Sequence, residues 1–350
     1  MRELSGTQSR QIIDCEQVYM EWRKADRDRR LRFAGSIAWK LVKGRRYLYR
    51  KTADSWKSLG PESLETRNIH DRFHTGRAAN RLRCESLNKR IMEMAPANRA
   101  IRLGRVPLLS ARILRRLDRI GVLGEGLSVA GTHALYAYER MAGVQFGEDF
   151  ITTQDIDLLY DARGGLDLIG SNLAETGLVG ILRSIDSSFE PTELDSFRAA
   201  NADGFLVDLI VPATRKPAHR EFRQKLGDDP TDLSAVEIAG LGWLESCPKV
   251  EQIAIDERGF PLLIIVPDPR AFACHKLWLS RRDDRDPLKR RRDLAQAHQI
   301  AEALIRYLPN LRFDDPTLAA LPLELRQYGL ELAETARRRS ADLDGETEWF

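Results

Sequence analysis

Thr153-Gln154-Asp155-Ile156-Asp157-Leu158-Leu159-Tyr160 is the stretch on which the reading of this chain turns. It has the composition of a β-strand. Residues i and i+2 of a strand point to one face, so Asp155 and Asp157 project together with Ile156 buried behind them. Further along, Phe205-Leu206-Val207-Asp208-Leu209-Ile210-Val211 is apolar except for Asp208. A lone carboxylate in such a strand is costly unless it is paired, hydrogen-bonded or bound to a cation. Hard oxygen donors converging from two strands suit Mg²⁺, which takes carboxylates together with a substrate's phosphates, and Mn²⁺ accepts the same ligands. The chemistry expected of such a cradle is phosphoryl or nucleotidyl transfer. Asp155, Asp157 and Asp208 are the expected metal ligands and catalytic acids, with Asp208 also placed to help remove an acceptor's proton.

Upstream, the short apolar run Leu127-Ser128-Val129-Ala130 leads into Gly131-Thr132-His133 and a helical pattern through Glu139. A strand that ends in Gly-Thr before a helix offers backbone N–H groups to phosphate; glycine permits close approach and the Thr132 hydroxyl adds a donor. Gly131 and Thr132 are therefore expected nucleotide-binding residues, and His133 reads as a packing residue. Downstream, Pro267-Asp268-Pro269 opens a helix that carries Arg270 and Lys276, two cations suited to triphosphate oxygens.

Together, Gly131-Thr132, Asp155-Ile156-Asp157 and Asp208 on a later strand resemble the nucleotidyltransferase fold of the DNA polymerase β superfamily. The likeness is to its bacterial branch of little-characterised nucleotidyltransferase-like proteins, which includes abortive-infection-type toxins. It covers residues 120–300 and runs through Pro267–Lys276 and Lys289-Arg290-Arg291-Arg292-Asp293. In related toxins a lysine on the helix after the core, and a basic-then-acidic helix, occupy similar positions. Two departures stand out. Thr132 replaces the usual Ser but keeps the hydroxyl, and the longer gap from Gly131 to Asp155 implies an extended helix or loop at Glu139–Phe150. The resemblance implies an enzyme that moves a nucleoside monophosphate from a nucleoside triphosphate to a hydroxyl acceptor, with Mg²⁺ or Mn²⁺ as cofactor. The acceptor is RNA (a tRNA 3′ end being the natural candidate), a protein hydroxyl or a small molecule. The alternative is an inactive nucleotidyltransferase-like fold used for nucleic-acid or protein binding; the three intact aspartates weigh against it. A metal-dependent nuclease uses similar acids but does not call for the Gly-Thr turn.

Composition bounds the remaining possibilities. The 350 residues are 43% hydrophobic and 31% charged, an ordinary ordered protein. No run approaches the ~18 apolar residues of a membrane span, and the first ten residues lack a signal peptide's apolar segment, so a cytoplasmic protein with no membrane partner is expected. Cys15, Cys84, Cys247 and Cys274 show no metal-ligand spacing and read as reduced thiols. The formal net charge of +3 hides an asymmetry: residues 1–119 carry 29 Lys and Arg against 13 Asp and Glu. A basic N-terminal third beside an acidic body suggests a module that grips nucleic acid, with RNA as the possible acceptor; the alternatives are that the two parts attract each other or that the Arg-rich helices are solvated.

The expected fold is α/β (α+β): a mixed-sheet nucleotidyltransferase core at 116–268, a basic accessory module of helix, hairpin and long helix at 1–115, and a C-terminal helical region at 269–350. Within the first module, residues 9–32 read as a helix. Ser36–Val42 and Arg46–Lys51 form a hairpin with Lys40, Arg46 and Arg50 among aromatic neighbours. Gly60-Pro61-Glu62-Ser63 opens a helix to about Met94, on which His70 and His74 stand at i and i+4 with no third ligand in register. Helices are expected at 107–120, 131–143, 172–187, 270–281, 287–308 and 317–339. Hairpins are expected at 195–212 and 250–266.

Overall fold

The computed structural model describes residues 1–52, 55–161, 163, 171–213 and 231–347. In chain order its elements are β1 (Arg2–Glu3), α1 (Gly6–Leu31), β2 (Ser36–Val42), β3 (Arg45–Lys51), β4 (Trp56–Pro61), α2 (Leu64–Ala100), α3 (Leu108–Ile120), β5 (Leu127–Ala130), α4 (Ala134–Ala142), β6 (Val144–Gln145), α5 (Glu148–Ile151) and β7 (Asp155–Tyr160). They continue with α6 (Ser171–Arg183), β8 (Glu190–Pro191), β9 (Arg198–Ala200), β10 (Leu206–Pro212), β11 (Val236–Ile238), α7 (Leu241–Ser246), β12 (Lys249–Ile255), β13 (Pro261–Pro267), α8 (Pro269–Ser280), α9 (Pro287–Tyr307) and α10 (Leu323–Thr347). The mixed α/β architecture with a C-terminal helical region is the one the sequence implies. No helix among the described residues is long and apolar enough to cross a membrane.

Two compact units result. One comprises Met1–Ser9, Gly104–Glu257 and Leu262–Phe350; the other comprises Arg10–Leu103 and Arg258–Pro261.

The larger unit is built on a mixed sheet in the order β5-β7-β10-β9-β8, with β11 also on β10. Its central pair, β7 and β10, is parallel, while β5 and β9 run antiparallel to their neighbours. β9 pairs with Leu206–Asp208 and β11 with Ile210–Pro212, so both share one edge of β10 at opposite ends. Ile156, Leu158, Val207 and Leu209 are fully buried, which is why these runs are strands rather than surface loops: their apolar alternation has a core to face. The hairpin β12–β13 packs on α4, and α9 packs on α8, α10, α4 and α5. Between α4 and β7 the sequence implied one extended segment. Gly143, in the left-handed conformation at φ 67°, ends α4 where the expected 131–143 helix stops, and β6 leaves the helix to pair antiparallel with β1. The last helix begins at Leu323 rather than 317, because Pro316–Leu318 forms a separate 3-10 turn.

In the smaller unit β2, β3 and β4 make a three-stranded antiparallel sheet. One face holds Ile37 and Leu48, packed with Phe33 and Phe73. The strand β4 is not expected from the sequence, where Gly60-Pro61 is read as opening the long helix; Pro61 is its last residue, where a missing N–H costs little. α2 starts where Ser63 and Thr66 form a reciprocal capping box, with Ser63 Oγ accepting from Thr66 N at 3.2 Å and Thr66 Oγ1 accepting from Ser63 N at 2.9 Å. It runs past Pro96 to Ala100 rather than stopping near Met94. His74 meets the Ile37 carbonyl at 2.9 Å and His70 meets Asp71 at 3.0 Å, so both histidines have structural partners.

Candidate active site

Register, not proximity in sequence, assembles the site. In the parallel pair Asp208 lies opposite Asp157, and partners across a ladder share a face. Asp155, two residues before Asp157, is on that face too. All three sequence-nominated carboxylates are therefore brought to one side of the sheet. The Gly131-Thr132 turn joins them because Ala130 pairs with Asp157 at the end of β5. Gly131 has φ 60°, and a Cβ built there would stand 2.8 Å from the Asp157 carboxyl carbon, so only glycine fits.

Each carboxylate has an environment of its own. Burial, then repulsion from Asp155 and Asp208, pushes Asp157 from 3.8 up to about 6, while Lys276 and Arg198 pull it back. Asp155 accepts from the Thr153 hydroxyl. Asp208 is buried and held by a guanidinium fork: Arg198 Nε donates to Oδ1 at 2.7 Å and Nη2 to Oδ2 at 2.6 Å. Arg198 stands directly opposite Asp208 on β9. This pairing answers the question of what a carboxylate does in an apolar strand. In this arrangement the fork occupies both carboxylate oxygens of Asp208.

The two cations nominated from the sequence part company. Lys276 is buried and donates to Asp293 Oδ1 at 2.7 Å, while Arg285 Nε donates to Asp293 Oδ2 at 3.0 Å. Its charge still acts on Asp157. Arg270 is not brought to the carboxylates. Its Nε and Nη2 donate to Asp268 at 3.0 and 2.7 Å, and Nη1 donates to the Arg312 carbonyl at 3.1 Å. Six residues turn Lys276 roughly 120° around the helix from Arg270.

Thr132 and Gly131 form the turn ahead of α4 rather than its cap. His133 occupies the cap position, and no side chain caps the helix. His133 is buried, its Nε2 lies 2.7 Å from Ser110 Oγ, and burial pushes it down to about 4, so it packs as a neutral ring. Gln296 Nε2 donates to the Phe150 carbonyl at 2.8 Å and reaches Thr132 Oγ1 at 3.4 Å. Arg292 Nη2 donates to the Thr152 carbonyl at 2.6 Å, tying α9 to the residue just ahead of Thr153.

Sequence reasoning missed Arg198 and Gln296, and noted Asp293 only as the acidic end of a basic run. Arg198 was within reach: counting outward from the 201–205 turn pairs 198 with 208. Gln296 comes from a helix about eighty residues past Asp208, and nothing local marks it.

The site thus has carboxylates on one sheet face, a glycine turn against Asp157, and Lys276 close enough to act on that carboxylate. The nucleotidyltransferase family model matches residues 109–322, and the chain belongs to that family. It is accordingly an enzyme of the nucleotidyltransferase type, whose substrate is a nucleoside triphosphate and whose reaction transfers a nucleoside monophosphate. No curated protein and no solved structure matches it.

Proposed function

We propose that the chain is a Mg²⁺- or Mn²⁺-dependent nucleotidyltransferase of the polymerase β-like type, in the branch allied to abortive-infection toxins, and that its acceptor is an RNA hydroxyl. The observation that carries this reading is the register of Asp157 against Asp208 with Gly131 seated on Asp157.

The donor set fits a hard divalent cation. Three carboxylates share a face, and burial, then their mutual repulsion, raises Asp157 to about 6, a penalty that a cation relieves. Among the described residues no group of three His, Cys, Asp or Glu stands ready as placed; Arg198 holds Asp208 and Thr153 holds Asp155. Asp155 and Asp157 would hold the metal, with Asp208 as third ligand. Bound there, a metal neutralises triphosphate charge and acidifies the acceptor hydroxyl.

The chain's own residues supply the rest. Gly131 lets the backbone approach the phosphates, and the Thr132 hydroxyl donates to them. Lys276 adds positive potential behind Asp157. Arg270 acts through Asp268, fixing the start of α8 so that Lys276 is presented correctly. Residues 1–115 serve as a basic accessory module, 116–268 as the core and 269–350 as the helical region that contributes Lys276 and Asp293. An RNA acceptor is supported by charge: residues 10–103 carry 23 Lys and Arg against 11 Asp and Glu.

The test is incubation with each α-labelled nucleoside triphosphate, Mg²⁺ or Mn²⁺, and total RNA, alongside Asp157→Asn. Metal-dependent labelling of RNA that disappears in the variant supports the reading. Labelling of protein instead reassigns the acceptor, and equal labelling by Asp157→Asn removes the site.

A further inference from the structure

We propose that the solvent face of the β2–β3–β4 sheet is a stacking platform for single-stranded RNA. The inference rests on the RNA-acceptor reading for its choice of RNA, but on the smaller unit alone for its location.

Strand parity sorts the side chains. Ile37, Trp39 and Leu48 turn toward Phe33 and Phe73. The opposite face carries Lys40, Tyr47, Tyr49, Lys51 and Trp56, brought side by side because Lys40 pairs with Tyr47, and Lys51 with Trp56. Trp56 is 49% exposed. A tryptophan so open in a monomeric sheet forfeits burial that a core position would give, unless something stacks on it. Tyr49 packs edge-to-face with it at 6.4 Å between centroids, and the Lys40 ammonium, 5.4 Å from the Tyr49 centroid, lies over both rings. Lys40 Nζ sits 3.2 Å from the Trp56 centroid, and Lys51 Nζ lies 5.3 Å from it. Among the described residues of these three strands none is acidic.

Rings at strand spacing with ammonium groups between them match one chemistry. Unstacked bases lie on aromatic faces, and the phosphates that join them meet lysines. A base arriving at Trp56 takes the position of the Lys40 ammonium, and this exposed side chain swings to the adjoining phosphate. Duplex RNA hides its base faces and offers no such fit. An acidic protein partner would pair with the lysines but gives the rings no role.

The experiment measures binding of fluorescent 20-nucleotide single-stranded RNA, the same sequence as DNA, and duplex RNA to the full chain carrying Asp157→Asn, without nucleotide, so that transfer plays no part. Single-stranded RNA is expected to bind ahead of DNA and duplex. Trp56→Ala and Tyr49→Ala should each weaken it about 5- to 100-fold. Trp56→Phe should restore most of the affinity, whereas Trp56→Leu, which keeps apolar area but no ring, should not. Replacing Lys40 and Lys51 with Gln should flatten the log–log salt dependence by about 0.7 for each phosphate that is no longer neutralised. Unchanged melting of Trp56→Leu guards against loss of fold. Duplex binding equal to single-stranded, Trp56→Leu equal to Trp56→Phe, a preference for DNA, or no binding would each overturn the proposal. If RNA binding depends on Trp56 but the wild-type enzyme labels no RNA, the platform stands and the acceptor reading falls.

Discussion

Gly131 shows how much a single position can hold. Its φ of 60° and its close approach to Asp157 are separate demands, and any side chain violates both. Gly131→Ala should cut nucleotide transfer by about 100-fold or more while leaving the overall fold intact, as checked by initial rates and circular dichroism. Asp157 makes a prediction in pH. Its folded carboxyl, at about 6, holds a proton more tightly than the unfolded chain does at 3.8. The unfolded state therefore loses its proton first, and the contribution of Asp157 to stability declines as pH rises from about 4 to about 6, with the full penalty above that. Asp157→Asn should melt higher than wild type at pH 7.5, with the gap closing near pH 4; a constant gap would show that Asp157 is not perturbed. Asp155, Asp157, Asp208 and Gly131 were legible because period-two alternation and a Gly-Thr turn are local signals. The engagement of Asp208 by Arg198 was not, because it depends on the register of a hairpin.

At the scale of elements, α8 and α9 are joined by a buried charge. Lys276 and Asp293 have side chains only 8% and 3% exposed, and Arg285 completes the pairing. Removing one partner of such a pair leaves the other desolvated and uncompensated. Lys276→Met should therefore lower the unfolding free energy by roughly 3 kcal/mol, read from the denaturant midpoint at constant slope. A loss of transfer with no loss of stability would instead make Lys276 a ligand for substrate alone. The strong periodic helices and the β12–β13 hairpin could be anticipated from sequence within a few residues. β4 could not, since Gly60-Pro61 reads as opening the long helix, a reading that its edge position overrides. Nor could β1, whose two residues acquire a strand identity only by pairing with β6.

Across the whole molecule, a formal charge of +3 conceals opposed halves. Residues 10–103 carry 23 basic against 11 acidic side chains, and the remainder carry 32 against 41. Retention on immobilised heparin at pH 8 should follow the first segment rather than the net value. Elution well above the salt at which neutral proteins wash through, on the order of 0.3 M or more, is expected. Passage through the column at ~0.1 M salt would mean that the basic side chains are internally neutralised.

The pairing of β1 with β6 has a consequence for how the protein is made. Arg2–Glu3 leaves the ribosome well ahead of its partner Val144–Gln145, which follows about 140 residues later. At roughly 5–20 residues per second, that strand waits for something like 7–30 seconds with its backbone unpaired. The smaller unit has a longer wait, because Asn98 donates to the Gly259 carbonyl at 2.7 Å and Gly259 is synthesised some 160 residues after it. Nascent chains stalled before residue 145 should thus expose the N-terminal strand to proteases, and those extended past residue 261 should be the first to protect both units.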